Sequence, residues 1–231
     1  MQNLKLSAPT ESPSGTVSPS STLSPTVSTT AKTALCSFAH STDITSIVAQ
    51  GWRCNARDQP LTNVCRWKGV KCDYHGNVVQ FFPSGLNLTG TLPADLDLLT
   101  DCYSIVLFSN QLAGTIPSTL GQLSGKLNTL HLAANKLTGT IPSSLGNISS
   151  LSNLFLFQNR LRGTIPESLG ELTQLTQLDL SNNDLSGAVP DSLCQLKQLK
   201  VLSLSNNTRL ACYPQCLSTV PTQDYDGMPV C

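Results

Sequence analysis

The chain has 231 residues, of which 39% are hydrophobic and only 12% are charged. The apolar residues are enough for one sizeable core, but few of them fall within the first 33 positions. Fourteen Lys and Arg balance fourteen Asp and Glu, which excludes the net basic charge expected of a nucleic-acid partner or an anionic membrane surface. The composition therefore predicts one folded domain that follows a polar tail.

Residues 1–33 form a tail dominated by Ser, Thr and Pro. Such a segment buries too little apolar surface to offset its ordering entropy, which predicts a disordered stalk or linker. The N-terminus from Met1 to Ser7 lacks the apolar segment of a secretory signal peptide. We therefore expect that Met1 is not the biological start and that an export signal or anchor precedes it. The chain has no run of about 18 apolar residues, which predicts no direct membrane insertion.

Residues 34–77 have the features of an N-terminal cap. The apolar residues of the segment 42–51 recur at helical spacing ahead of a terminating glycine, which predicts a short amphipathic helix. These apolar residues are Ile44, Ile47 and Val48.

Eight of the nine cysteines lie in two clusters on either side of a repetitive middle. This arrangement indicates disulfide-bonded caps in an oxidising compartment. Cys212 and Cys216 loosely fit the spacing of zinc ligands, but no second pair completes a tetrahedral site, so we expect no metal. The two clusters are Cys36, Cys54, Cys65 and Cys72, then Cys194, Cys212, Cys216 and Cys231.

From Val78 onward the chain repeats itself. One series consists of Gly90, Gly114, Gly139, Gly163 and Gly187, which are 24, 25, 24 and 24 residues apart. A second series, the asparagine ladder, consists of Asn110, Asn135, Asn159, Asn183 and Asn207. The clearest unit, residues 175–187, reads L-x-x-L-x-L-x-x-N-x-L-x-G. This spacing predicts an α/β repeat solenoid over residues 78–207, a right-handed leucine-rich-repeat superhelix of about six turns.

Each repeat predicts one short strand with its leucines on one face. Successive side chains point to opposite faces, so the leucines enter the coil and the intervening residues lie on a concave parallel sheet. We expect each ladder asparagine to bond backbone groups of neighbouring turns, since an orphaned buried group costs about 1–3 kcal/mol. The first turn has Leu86 in place of the asparagine, as suits a divergent terminal repeat.

The segment 65–72 reads C-x-W-x-G-V-x-C and resembles the cap that precedes the repeats in plant-specific leucine-rich-repeat proteins. The repeat unit L-x-G-T-I-P-x-x-L-G-x-L is similar to that of receptor-like kinase ectodomains, receptor-like proteins and polygalacturonase inhibitors. The resemblance covers residues from about 34 to 212. It implies an extracellular solenoid with cysteine-containing caps, but not a particular ligand, because these relatives bind different ligands on one scaffold.

The resemblance also implies a disulfide between Cys65 and Cys72 and, with it, one between Cys36 and Cys54. Residue Cys102 aligns with the first core position of the later repeats. We therefore expect it to act as a small buried hydrophobe with an inert thiol.

Residues 208–231 form the predicted C-terminal cap. Cys194 takes the position that glycine holds in earlier turns, which puts it within reach of Cys212 or Cys216 one turn later. Four cysteines allow three pairings, and all three stay open at this point.

Motifs of catalysis are missing from the sequence, which has no G-x-S-x-G elbow, no phosphate-binding loop, no H-E-x-x-H helix and no kinase signature. We therefore predict that the chain is not an enzyme and needs no cofactor. His40 and His75 are isolated in sequence, and we expect them to be exposed to solvent. Sequons predict glycosylation at Asn87, Asn147 and Asn206.

The outward positions of the predicted strands indicate a binding surface. Four of the six phenylalanines fall on these positions, where they have no core to fill. An exposed apolar patch with a polar rim is typical of a partner site, and aromatic residues are enriched in binding hot spots. Shielding of the rings by glycans or by the tail is the alternative. The predicted ligand-binding residues are Phe82, Val106, Phe108, His131, Phe155, Phe157 and Asp179.

We predict an extracellular or cell-surface module that recognises a protein, peptide or glycoprotein through its concave face, as a receptor ectodomain or an enzyme inhibitor does. The alternative is a structural or surface-adsorbing protein of a cell wall or matrix. That alternative would use the regular row of Thr91, Thr115, Thr140 and Thr164. These threonines more simply extend the second strand of each turn, which favours the recognition module.

Overall fold

The computed structural model describes residues 28–42, 51–55, 57 and 59–231. Its strands are short, as the period-2 pattern of the repeats predicts. In chain order they are β1 Val70–Cys72, β2 Val78–Phe81, β3 Ser104–Val106, β4 Thr129–His131, β5 Thr138–Gly139, β6 Asn153–Phe155, β7 Arg160–Gly163, β8 Gln177–Asp179, β9 Asp184–Gly187, β10 Val201–Ser203, β11 Arg209–Leu210 and β12 Thr222–Asp224.

One eight-stranded sheet, the concave sheet, runs in the order β1-β2-β3-β4-β6-β8-β10-β12. Its strands from β2 to β12 pair in parallel, and β1 pairs with β2 antiparallel. Leu130 is opposite Leu154, and Leu154 is opposite Leu178, so the leucines of successive turns stack in register. All three are fully buried. The predicted leucine-rich-repeat solenoid with a parallel sheet is confirmed.

A second sheet, β11-β9-β7-β5, follows the glycine series, and short 3₁₀ helices form the convex side. Each of these helices follows a proline whose fixed φ suits the N-cap. The helices stack closely through glycine: a Cβ on Gly170 would lie 2.4 Å from the carbonyl oxygen of Ser192. The convex helices are Ala94–Leu98, Ser118–Gln122, Ser143–Asn147, Glu167–Glu171, Asp191–Gln195 and Gln215–Thr219.

The asparagine ladder joins neighbouring turns. Asn159 accepts a hydrogen bond from the backbone N–H of Leu137 in the previous turn at 3.0 Å and donates to the carbonyl of Leu132 at 3.1 Å. Asn110 begins the ladder and accepts from the backbone N–H groups of both Leu86 and Leu88. The first turn has no ladder asparagine of its own, and Asn110 of the second turn accepts the hydrogen bonds of its backbone N–H groups.

The N-terminal cap begins with helix α1, Thr29–Ser41. The structure corrects the sequence analysis here, because α1 crosses the predicted boundary between residues 33 and 34. The helix that was predicted over 42–51 falls mostly on residues 43–50, outside the described residues, and Thr42 itself has extended backbone after α1. The predicted tail up to residue 27 also lies outside them. A Cβ on Gly90 would lie 2.0 Å from the carbonyl oxygen of Ser41, so glycine lets α1 end directly against the first turn.

Four aromatic residues form the centre of the cap, and we call Phe38, Trp52, Trp67 and Phe81 the cap cluster. The Trp52 and Trp67 rings stack at 5.1 Å, and the Phe38 and Phe81 rings meet edge-on at 5.0 Å. The indole N–H of Trp52 donates to the carbonyl of Lys68 at 3.0 Å, and that of Trp67 donates to the Thr62 hydroxyl at 2.7 Å. The cap cluster therefore seals the apolar end of the solenoid without leaving an indole N–H unpaired.

Disulfides hold both caps. In the N-terminal cap they join Cys36 to Cys54 and Cys65 to Cys72, the pairs that the family resemblance implies. Cys102 is unpaired and buried, and burial raises the pKa of its thiol to about 12, so this thiol stays protonated and unreactive at neutral pH.

At the C-terminal end Cys194 pairs with Cys216, and Cys212 pairs with Cys231, which closes the choice that the sequence left open. The repeat geometry extends into the predicted cap of residues 208–231, because β12 adds a parallel strand next to β10. No helix in the described ranges has both the length and the apolar character needed to span a lipid bilayer.

Candidate functional site

The residues that the leucine pattern points outward lie along the concave sheet. In β3, β4, β6, β8 and β10 a buried residue lies between two partly exposed ones, as in β4, where Leu130 is buried between Thr129 and His131. Parallel pairing places His131 opposite Phe155, and Phe155 opposite Asp179. Adjacent strands are about 4.8 Å apart, so the outward side chains of neighbouring turns touch.

Four of the predicted ligand-binding residues form one contact group, the concave cluster of Phe108, His131, Phe155 and Phe157. The His131 ring is 4.9 Å from the Phe108 ring, 4.9 Å from Phe155 and 5.8 Å from Phe157. The Phe108 and Phe157 rings are 6.2 Å apart. The imidazole therefore lies at the centre of three phenyl rings, and Phe155 and Phe157 are partly buried by this packing rather than fully exposed.

Burial of His131 determines its electrostatics. Desolvation by the surrounding rings lowers the pKa of the imidazole below 6.5, and the nearby Asp179 carboxylate opposes this shift. The Nδ1 atom of His131 is buried and has no hydrogen-bond partner among the described residues. Asp179 is held in place by the backbone N–H and the hydroxyl of Ser181, which donate to its carboxylate at 3.0 and 2.7 Å. The centre of the face is thus uncharged and apolar, with one fixed negative charge at its edge.

Phe82 and Val106 lie toward the N-terminal end of the same face. Phe82 is 44% exposed, which is more than the 37% of Phe108 in the concave cluster. Both Phe82 and Val106 line a cleft of about 540 Å³ between the cap and the first strands. The predicted site residues therefore divide into the concave cluster, the cleft and the carboxylate of Asp179.

The cap supplies a part of this cleft that was not predicted from the sequence. Lys68 and Gly69 lie just before β1, and Gln80 lies on β2 opposite Lys71. The alternation of Val70, Lys71 and Cys72 was a signal for a strand, but the C-x-W-x-G-V-x-C segment was interpreted only as a disulfide motif. Its antiparallel pairing with β2 brings Lys68 to the concave face.

Comparison with known proteins agrees with this geometry. A family model described as "Leucine rich repeat" matches residues 125–185 and 159–210. A chain of the BIR3–SERK2 complex from Arabidopsis thaliana superposes with a TM-score of 0.66 and 26% identity, over 86% of this chain and 97% of that one. The chain therefore has the leucine-rich-repeat fold and is similar to plant proteins with that fold.

Two further similarities are to plant receptors. The chain is 41% identical over 68 residues to the LRR receptor-like serine/threonine-protein kinase GSO2 of Arabidopsis thaliana, a match that covers 29% of this chain and 5% of the kinase. A chain of the PEPR1–AtPEP1 structure has a TM-score of 0.65 and 31% identity, over 79% of this chain and 24% of that one. The leucine-rich-repeat protein therefore spans only a small part of these receptors, and the matches concern their repeats rather than their kinase domains.

The three sequons of the leucine-rich-repeat protein lie at exposed asparagines. Asn87 and Asn206 have positive φ, in turns beside the concave sheet, and Asn147 ends a convex 3₁₀ helix. Glycans on Asn147 would project away from the concave cluster, so they would not shield it. Among the described residues, no group of three or more His, Cys, Asp or Glu side chains is arranged to hold a metal ion.

Proposed function

We propose that this protein is an extracellular recognition module that binds a protein, peptide or glycoprotein on its concave face. The observation that carries the proposal is the concave cluster, in which three phenylalanines surround a largely uncharged histidine on an open sheet surface. Rings at outward strand positions fill no core, so their apolar surface is available to a partner.

Disulfides and relatives support the location and the type of partner. Four disulfides require an oxidising compartment, which agrees with an extracellular or cell-surface protein. One similar chain belongs to a complex between two proteins, BIR3 and SERK2. Together with the concave cluster, these facts favour binding of polypeptide ligands, in the manner of a receptor ectodomain or an inhibitor.

The alternative function, adsorption to a wall or matrix, would use the exposed threonine row beside the second sheet. The Cγ2 methyl of Thr91 lies 3.0 Å from the position of a Cβ on Gly114, and Thr115 and Thr140 have the same relation to Gly139 and Gly163. These methyl groups pack on the next turn, so a structural role accounts for the row without a ligand. This packing favours the recognition module.

Peptide selection tests the recognition module. Peptides from a random displayed library are enriched on the immobilised chain, and their Kd is measured for the parent and for the double variant Phe155→Ser/Phe157→Ser. We expect the double variant to keep its fold and to lose about 2–4 kcal/mol of binding free energy, because hot-spot aromatics carry most of an interface.

The matched control is Leu61→Ser/Tyr74→Ser, which removes two exposed apolar side chains outside the concave cluster. Its Kd values should equal those of the parent. If Phe155→Ser/Phe157→Ser binds the selected peptides as tightly as the parent does, the proposed binding surface is wrong.

A further inference from the structure

The cleft at the N-terminal end of the concave sheet combines apolar walls with polar groups. It has a volume of about 540 Å³, within the range of sites that hold a small ligand or a few residues of a peptide. It lies where the cap meets β2 and β3. Its apolar lining residues are Phe82, Pro83, Leu86 and Val106, and its polar ones are Lys68, Gln80, Ser84 and Ser104.

The walls of the cleft are held rigidly by the cap. The backbone carbonyl of Lys68 accepts from the indole N–H of Trp52, which belongs to the buried cap cluster. The carbonyl of Gly69 accepts from the backbone N–H of Phe82, and a Cβ on Gly69 would lie 2.8 Å from the Pro83 nitrogen. The cap and the first turn therefore meet at a fixed distance, and the cleft exists before any ligand arrives.

Three polar side chains of the cleft have no partner within the described part of the chain. Lys68 is exposed, and among the described residues its ammonium group makes no ion pair. The side chains of Gln80 and Ser104 make no hydrogen bond with any part of the described chain, whereas the Ser84 hydroxyl donates to the carbonyl of Val106 at 2.9 Å. One cation and two unused polar side chains thus line a mostly apolar cleft.

Charge on the concave sheet is also divided between its two ends. Lys68 and Lys71 lie at the cap end, while Asp179 on β8 and Asp224 on β12 lie toward the other end. Between them lies the uncharged concave cluster. A ligand with a negative group at one end therefore has a favoured direction on this surface, with its negative group at the cap.

We propose that the cleft binds a carboxylate next to a large apolar side chain of a peptide ligand, with Lys68 as the countercharge and Phe82, Leu86 and Val106 around the apolar group. The carboxylate comes either from the C-terminus of the peptide or from an acidic side chain. This inference rests on the proposed function, because the cleft is one end of the same concave face. It assigns the direction in which the ligand lies along the concave sheet, which the concave cluster alone does not.

Small probes test the cleft directly in the full chain. N-acetyl-phenylalanine is titrated against its neutral amide, and the amide signals of Gly69 and Ser104 are followed by NMR. The acid should bind the parent about threefold more tightly than the amide, as for an exposed ion pair. The Lys68→Gln variant should bind the acid and the amide equally.

A second pair of probes distinguishes the two sources of the carboxylate. N-acetyl-Asp-Phe-amide is compared with N-acetyl-Asn-Phe-amide, which differs only in the charged side chain. A preference for the acid in the first pair identifies a C-terminal carboxylate, and a preference in the second pair identifies an acidic side chain. Either preference, if abolished by Lys68→Gln, supports the proposal.

The control variant Lys197→Gln removes one positive charge on the convex side, just after the helix Asp191–Gln195. It should keep the preference of the parent for the acidic probe. The proposal is overturned if the acid and the neutral probe of both pairs shift the signals equally, if neither shifts them, or if Lys68→Gln retains the preference. The Phe155→Ser/Phe157→Ser variant should retain the probe preference. The experiments therefore distinguish a wrong assignment of the concave cluster from a wrong assignment of the cleft.

Discussion

The cap cluster and the concave cluster are built from similar residues in opposite surroundings. Phe38, Trp52, Trp67 and Phe81 of the cap cluster are at most 2% exposed, whereas Phe108 of the concave cluster is 37% exposed. Both indole N–H groups of the cap cluster have hydrogen-bond acceptors, whereas Nδ1 of His131 has no partner in the part of the chain that the structure describes. The cap cluster is internally complete, and the concave cluster has apolar surface and a polar atom left unused.

Two consecutive phenylalanines, Phe81 and Phe82, have these opposite surroundings. Phe81 is fully buried in the cap cluster, and Phe82 is 44% exposed on the concave face. Successive side chains in an extended chain point to opposite faces, so a shift of one position changes a core residue into a surface residue. Residue type alone therefore does not identify a binding aromatic, whereas its position in the repeat does.

We expect the largest difference in stability when Phe81 and Phe82 are each replaced by alanine. Phe81→Ala should lower the free energy of unfolding by about 3–5 kcal/mol, because it leaves a cavity in the cap cluster. Phe82→Ala should lower it by less than about 1 kcal/mol, because much of the ring is already in water. Urea denaturation of both variants measures the difference. Equal losses would show that the two rings share one structural role, contrary to the expectation.

We expect a smaller loss of stability when an asparagine of the ladder next to the concave cluster is replaced. Asn159 donates to the carbonyls of Leu156 and Phe157 and accepts from Leu137 N–H, so Asn159→Ala leaves backbone groups of two turns unpaired. We expect a loss of about 1–3 kcal/mol in the free energy of unfolding.

Asn153→Ala serves as the control for this ladder variant, because Asn153 is an outward residue of β6. Within the described chain its amide bonds side chains rather than backbone groups: it donates to the Thr129 hydroxyl and accepts from the Thr176 hydroxyl. Its free energy of unfolding should stay close to that of the parent. A loss for Asn159→Ala no larger than that for Asn153→Ala would argue against the supporting role of the ladder.

The smallest expected effect concerns the charge of His131. Burial lowers its pKa in the folded state, so the unfolded chain takes up this proton first as the pH falls below 6.5. This contribution to stability is complete above pH 6.5 and is lost as the pH falls toward the lowered pKa.

NMR titration of the His131 imidazole should give a midpoint below 6.5. The variant Asp179→Asn should lower this midpoint further, since it removes the negative charge that favours the protonated ring. A midpoint at or above 6.5 in the parent would mean that the concave cluster is not desolvated as described.

The faces of the strands could be predicted from the sequence, whereas α1 and β12 could not. The leucine alternation correctly placed Phe108, His131 and Phe155 on one face, because each strand follows its own local period. The same reasoning missed α1, although Ala31, Ala34, Leu35, Phe38 and Ala39 are buried at helical spacing. Alanine is a weak hydrophobic signal, and the predicted boundary at residue 33 divided the pattern. β12 was missed because its three residues, Thr222, Gln223 and Asp224, are all exposed and polar.

The period of the solenoid and the inward and outward faces of its strands follow from the sequence alone. These are local properties, since side-chain direction follows from backbone geometry and a repeat shows its spacing directly. Only the tertiary structure decided which outward residues meet around His131, which C-terminal cysteines pair and how β1 joins β2 to form the cleft beside Lys68. These features depend on contacts between distant segments of the chain, whose distances are determined only when the turns stack and the caps close.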